Sequence, residues 1–120
     1  GYGALRYSGL DISPQFTAAA RARFPQSEFL CVDVLQPGQS LPPFDYIVMN
    51  GIFTRRHDLS LEDMWGYFER LLGKVFESCR VGLAFNVMSS VVDWQNEALF
   101  HADPGRLVGF IGKSLTRHFV

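Results

Sequence analysis

Two acidic residues, Asp11 and Asp33, each close a short apolar run. The runs are Tyr7-Ser8-Gly9-Leu10-Asp11 and Phe29-Leu30-Cys31-Val32-Asp33, with a helix-like segment between them. A strand that ends in a carboxylate can hold a ribose by accepting hydrogen bonds from its two hydroxyls. A second strand ending in Asp beside it can accept from an adenine amino group. Two such strands in succession suggest an adenosine-containing ligand. Asn50 and Asn86 close two later apolar runs. His57, in a polar loop with Arg55 and Arg56, and His101, in a longer connection with Trp94, are the side chains placed to accept a proton. Asp93 and Glu97 form no carboxylate pair for acid/base work, and no His/Cys/Asp grouping has the spacing of a metal site.

The elements that must position these residues follow from local chemistry. Residues 5–11 read as a strand. Ser13 and Pro14 then start a helix, the hydroxyl capping free amides and the proline suiting the first helical position. That helix carries Phe16, Ala19, Ala20 and Phe24 at helical spacing and stops at Pro25. Residues 28–35 form the next strand. Gln36-Pro37-Gly38-Gln39-Ser40 and Pro42-Pro43 form a loop. Residues 44–50 form a third strand, whose run Tyr46-Ile47-Val48-Met49 is expected to be buried on both faces. Ser60 caps a long helix with a stripe of Leu61, Met64, Phe68, Leu71, Leu72, Val75, Phe76 and Cys79. Residues 81–87 form a fourth strand, and 88–102 a long, partly ordered connection. Asp103 and Pro104 open a last helix, and residues 117–120 look like the start of another strand. Strands alternating with helices predict an α/β fold with a mainly parallel sheet. Ligands in such sheets bind beyond the carboxyl ends of the strands, where Asp11, Asp33, Asn50 and Asn86 fall.

The bulk numbers set limits on partners and location. A chain of 120 residues is expected to form a single domain over 1–120, and 48% hydrophobic content suffices for a core. A net charge of -1 makes nucleic acid a poor partner. No apolar run reaches the roughly 18 residues a membrane span needs, and no signal-peptide pattern opens the chain. Two cysteines, Cys31 in a strand and Cys79 at a helix end, read as buried thiols in a reducing cytoplasm. No repeat, low-complexity segment or linker to a second domain stands out.

Taken together, Gly9-Leu10-Asp11-Ile12-Ser13-Pro14, the helix through Ala18-Ala19-Ala20-Arg21-Ala22-Arg23-Phe24-Pro25, Phe29-Leu30-Cys31-Val32-Asp33-Val34 and Phe44-Asp45-Tyr46-Ile47-Val48-Met49-Asn50-Gly51 resemble class I S-adenosylmethionine-dependent methyltransferases. The resemblance covers nearly the whole chain and implies a Rossmann-like three-layer fold. It implies that S-adenosyl-L-methionine is bound with Asp11 on the ribose hydroxyls and Ile12 beside it. It places Asp33 on the adenine amino group and the Val34 amide on a ring nitrogen. Asn50 and Gly51 would lie beside the methionine part and the transferred methyl. Ile52 and Phe53 would wall the pocket. A small-molecule acceptor would meet Phe53, Arg55, Trp94 and His101, with His57 as general base. Such enzymes work mainly by holding the nucleophile in line with the methyl group.

The resemblance also has gaps. The family has a first strand, a Gly-rich loop and a first helix before the strand at 5–11. Here Gly1-Tyr2-Gly3-Ala4 is at most the tail of such a loop, and the last strands are missing or cut short. The chain therefore reads as a truncated domain with a parallel sheet of about four strands, ordered 2-1-3-4 in its own strand numbers. The absent helix would leave one sheet face bare, and a bare apolar face suits a homodimer. Two other functions fit part of the pattern. A nicotinamide-dependent oxidoreductase also uses an acid after a strand to hold ribose, but Asp33 and the strand entrance Phe44-Asp45-Tyr46 favour the methyltransferase. A non-catalytic fold remnant acting as an assembly module is the third.

Overall fold

A computed structural model describes residues 5–120. The expected loop tail at 1–4 lies outside the described residues. The chain divides into two compact units, Gly1–Leu41 and Pro42–Val120. The boundary falls in the proline- and glycine-rich stretch read above as a loop.

The first unit is a parallel strand pair joined by a helix: β1 (Ser8–Asp11), α1 (Pro14–Arg23) and β2 (Glu28–Cys31). Ser8 lies opposite Glu28, and Asp11 opposite Cys31. Both strands are shorter than their apolar runs. Residues 5–7 have no partner because β2 begins only at Glu28, after the turn that follows α1. At the other end, Asp33 turns the chain, its Oδ1 accepting from the Leu35 amide at 3.1 Å. The helix starts as its sequence requires. Ser13 Oγ accepts from the Phe16 amide at 3.3 Å, and Pro14 takes the first position. It ends at Phe24, whose amide donates to the Ala20 carbonyl before Pro25 stops the ladder. Arg21 ties it to β2 by donating to the Phe29 carbonyl at 2.7 Å. The expected apolar stripe is not the buried one. Phe16 and Phe24 are exposed, and Thr17 is buried instead, its hydroxyl within 3.1 Å of the Ser13 and Pro14 carbonyls.

The second unit holds β3 (Phe44–Met49), α2 (Leu61–Glu77), β4 (Cys79–Phe85), β5 (Met88–Ser89), β6 (His101–Ala102) and α3 (Pro104–Phe110), which runs on into a π-helical turn, Ile111–Leu115. β3 pairs with β4, and β5 with β6, both in parallel. The chain is thus mixed α/β and built on short parallel pairs. The pairings 2-1 and 3-4 of the expected order are present, but as two separate two-stranded ladders rather than one longer sheet, with β5–β6 as a third ladder. No helix among the described residues is long and apolar enough to cross a membrane.

α2 supplies the core. Ser60 caps it, accepting from the Asp63 amide at 3.1 Å, and Met64, Trp65, Phe68, Leu71, Leu72 and Val75 are buried along one side. Trp65 widens the stripe beyond the expected set, and Leu61 is largely exposed. Phe68 lies at the centre. Its ring meets Phe53 at 4.7 Å, Trp65 at 5.5 Å, Phe85 and Phe100 at 5.8 Å and Phe110 at 6.0 Å. Several of these contacts are edge-to-face, the geometry that ring quadrupoles favour.

Four expectations need correction. Tyr46 and Val48 are 69% and 75% exposed, so β3 packs on one face only, through Ile47 and Met49. A continuous apolar run does not reveal how many faces are covered. Cys79 opens β4 rather than ending the helix, and Cys31 is exposed rather than buried; both are free thiols. Residues 117–120 are irregular rather than the start of a strand. The connection at 88–102 is partly ordered, as expected, and its order is the β5–β6 pair.

Arg106 seals the outer edge of the core. Its guanidinium lies 4.4 Å from the Trp65 ring centroid and grips Glu62 with two hydrogen bonds, of 2.8 and 3.2 Å. That grip lowers the Glu62 pKa from its ordinary value and raises that of Arg106.

Two predictions follow from the packing. Phe68→Ala empties the centre of the ring cluster and should cost about 3–5 kcal/mol in urea denaturation. Glu62 has a lowered folded-state pKa, so its contribution is complete above the ordinary carboxylate range and lost as pH falls through the lowered value. The melting temperature of the native chain should therefore exceed that of Glu62→Gln by a small constant margin near neutrality. That margin should close at acid pH.

Candidate functional site

In the first unit, the carboxyl ends of β1 and β2 bring Asp11 and Asp33 to one edge of a parallel pair. The Val32 amide donates to the Asp11 carbonyl at 3.2 Å, carrying the pairing one residue past β2. Each acid spends one oxygen on its own turn. Asp11 Oδ1 accepts from the Ser13 amide at 2.8 Å, and Asp33 Oδ1 from Leu35. The second oxygen of each has no partner among the described residues. Gln39 Oε1 accepts from the Asp33 amide at 2.9 Å and steadies this turn. Val34 is buried, and its amide has no partner among the described residues. Ile12 is exposed beside Asp11. Two carboxylate oxygens, one amide and an apolar side chain at one strand edge are donors, acceptors and surface of the kind an adenosine group needs.

In the second unit, Asn50, Gly51 and Asn86 lock the carboxyl ends of β3 and β4 together. Asn86 Oδ1 accepts from the Gly51 amide at 2.9 Å, and Asn86 Nδ2 donates to Asn50 Oδ1 at 2.5 Å. Gly51 turns the chain at φ +74°, in the left-handed region where a side chain is strained. The loop that follows is fixed from both sides. Phe53 is fully buried against Phe68, Tyr67 and Phe85, so it anchors the loop in the core rather than lining a cavity wall. Phe100 donates to the Thr54 carbonyl at 2.8 Å, and Arg56 to the Ala98 carbonyl at 3.1 Å. The Arg56 guanidinium is itself held on the Glu97 carbonyl.

The loop and the start of α2 enclose an open cavity of about 250 Å3, lined by Ile52, Arg55, His57, Leu59, Met64 and Tyr67. Arg55 and His57 reach it with no side-chain partner among the described residues. Tyr67 and Met64 are lining residues that the sequence did not single out as such. Their signal was present, three positions apart on the first turns of α2 next to its Ser60 cap. His57 sits at φ +56°, the left-handed region, in a residue other than glycine.

His101 and Trp94 are placed differently. His101 borders a second cavity, of about 210 Å3, with Arg56, Leu61, Gln95, Asn96, Glu97 and Leu99. Both its ring nitrogens are occupied: Nε2 accepts from the Asn96 amide at 3.2 Å, and Nδ1 is 3.0 Å from the Ser89 carbonyl. Trp94 is 73% exposed and lines neither cavity. No grouping of three His, Cys, Asp or Glu among the described residues could hold a metal.

Over 121 aligned residues, 87% of the chain is matched at 31% identity to "Putative methyltransferase Rv1506c" of Mycobacterium tuberculosis (strain ATCC 25618 / H37Rv), of which it covers 69%. The chain belongs to this methyltransferase family. No family model matches the chain, and no solved structure matches it. The methyltransferase resemblance read from the sequence is therefore borne out at the level of the reaction class.

Strain at His57 yields a prediction for this loop. At a φ compatible with L residues, Ala is at least as stable as Gly, but in the left-handed region the order reverses. His57→Gly should be more stable than His57→Ala by about 1 kcal/mol, although both lose the imidazole. Equal stabilities in thermal denaturation would mean that the loop relaxes out of this conformation without cost.

Proposed function

We propose that the protein is an S-adenosyl-L-methionine-dependent methyltransferase acting on a small molecule. The observation that carries the proposal is the placement of Asp11 and Asp33 at one edge of a parallel strand pair, each with one carboxylate oxygen uncommitted. Membership of a methyltransferase family makes this donor-binding reading the natural one for that edge. The βαβ unit β1–α1–β2 and the parallel pair β3–β4, each taken by itself, are pieces of the kind from which a Rossmann-like fold is built. Two free thiols suit a cytoplasmic, reducing setting.

In this reading Asp11 accepts from the ribose hydroxyls, Asp33 from the adenine amino group, and the Val34 amide donates to a ring nitrogen. Ile12 covers the ring. Asn50 and Gly51 take the roles beside the methionine part, with Gly51 allowing close backbone approach. When bound, S-adenosyl-L-methionine supplies a methyl group on a positively charged sulfur. The protein's own part is to orient the acceptor and to receive its proton. His57 is the residue for that step, since it lines a cavity and its imidazole is bound to nothing among the described residues. A positioned general base of this kind contributes about 10²–10⁴ in rate.

The test is calorimetric titration with S-adenosylhomocysteine, comparing the native chain with Asp11→Asn and Asp33→Asn. Each amide keeps the turn acceptor and loses the charge. The native chain should bind, and each variant should bind roughly tenfold more weakly, because hydrogen bonds to a charged acceptor are the stronger kind. A folded chain that takes up no S-adenosylhomocysteine would defeat the donor assignment.

A further inference from the structure

We infer that the acceptor is a small monoanion, an apolar or aromatic body bearing one carboxylate, and that Arg55 is the residue that selects it. The inference rests on the methyl-transfer reading and gives its substrate a chemical class. It starts from the cavity at the head of α2. About 250 Å3 is somewhat below the range of drug-sized pockets and suits a molecule of about ten heavy atoms. Its apolar lining comes from Ile52, Leu59 and Met64, so the body of the ligand must be apolar.

Its charge is one-sided. Arg55 is the permanent cation among the lining residues, and none of them is acidic. The guanidinium forms no hydrogen bond or ion pair among the described residues. Its neighbour Arg56 is different, being held on the Glu97 carbonyl. The Arg55 backbone is meanwhile fixed by an antiparallel bridge to Leu99, so the side chain projects from an anchored position. A planar fork on a fixed stem matches a carboxylate with two parallel hydrogen bonds. A single cation balances a single negative charge. A phosphate dianion would call for a second one, and His57, as the proton acceptor, cannot serve as both.

The experiment uses 4-hydroxybenzoate and its neutral analogue 4-hydroxybenzamide, titrated separately into the isotopically labelled chain without cofactor. Amide chemical shifts are followed by NMR. The expected result is movement confined to residues 52–59 and the first turns of α2, with the carboxylate bound about fivefold more tightly than the amide. Arg55→Gln should erase that preference, and Arg55→Lys should restore part of it. Arg55 is exposed, so neither change threatens the fold. Equal affinity for the two probes, shifts elsewhere, no binding of either probe, or a preference that survives Arg55→Gln would each overturn the proposal. Since no cofactor is present, the outcome is independent of the S-adenosylhomocysteine titration. A chain that binds S-adenosylhomocysteine but ignores the carboxylate refutes the substrate class alone.

Discussion

The second unit depends on one buried ring. Phe68 is where α2, the loop before it, β4, the approach to β6 and α3 all meet, through Phe53, Phe85, Phe100 and Phe110. The placement of the loop is a consequence of this packing. Phe53 is two residues beyond Gly51 and two before Arg55, so burying it fixes where the chain leaves β3 and where Arg55 and His57 emerge. A polar loop with no buried residue would have many conformations and no defined cavity. Here an aromatic anchor reduces them to one, and hydrogen bonds from Phe100 and Arg56 complete the restraint. The strain at His57 is tolerated because the surroundings over-determine the backbone.

The first unit is organised by other means. Val34 and Thr17 are its buried side chains among the described residues, so its geometry rests on hydrogen bonds more than on an apolar interior. Ser13 caps α1, Asp11 accepts from Ser13, Arg21 reaches the β2 carbonyl, and Asp33 and Gln39 hold the closing turn. The two acids are thus turn-forming residues first. That does not compete with ligand binding, because an ionised carboxylate has two oxygens and can serve a turn with one and a ligand with the other.

What the sequence revealed, and what it hid, follows the range of the interaction concerned. Ser13, Ser60 and Asp103 were readable as helix caps, because a cap is settled within three or four residues. The breaks at Pro25 and through 36–43 were readable for the same reason. Strand length was not, since it is set by the partner: residues 5–7 are apolar enough for a strand but have nothing opposite them. The covering of β3 was likewise hidden, because Tyr46 and Val48 have the composition of buried residues whether or not anything covers them. At the candidate site, the acids and the His57 loop were visible as residue types at strand exits. The burial of Phe53 depends on how α2 packs, which no local pattern encodes.

The same reasoning separates the two candidate histidines. A general base must exchange a proton with its ligand, so the nitrogen that does so must not already be holding the fold together. His101 fails this requirement. One nitrogen receives the Asn96 amide and the other lies against the Ser89 carbonyl, so the ring staples β5, β6 and the chain between them. Protonating Nε2 would replace an accepted hydrogen bond with two donors facing each other, and the staple would open. His57 makes no such bond among the described residues, and it borders a cavity whose remaining lining is apolar apart from Arg55 and Tyr67. The sequence already favours His57, which lies in the loop that follows a strand exit, but offers His101 as a second candidate. Their hydrogen-bond partners make one a structural residue and leave the other available for chemistry.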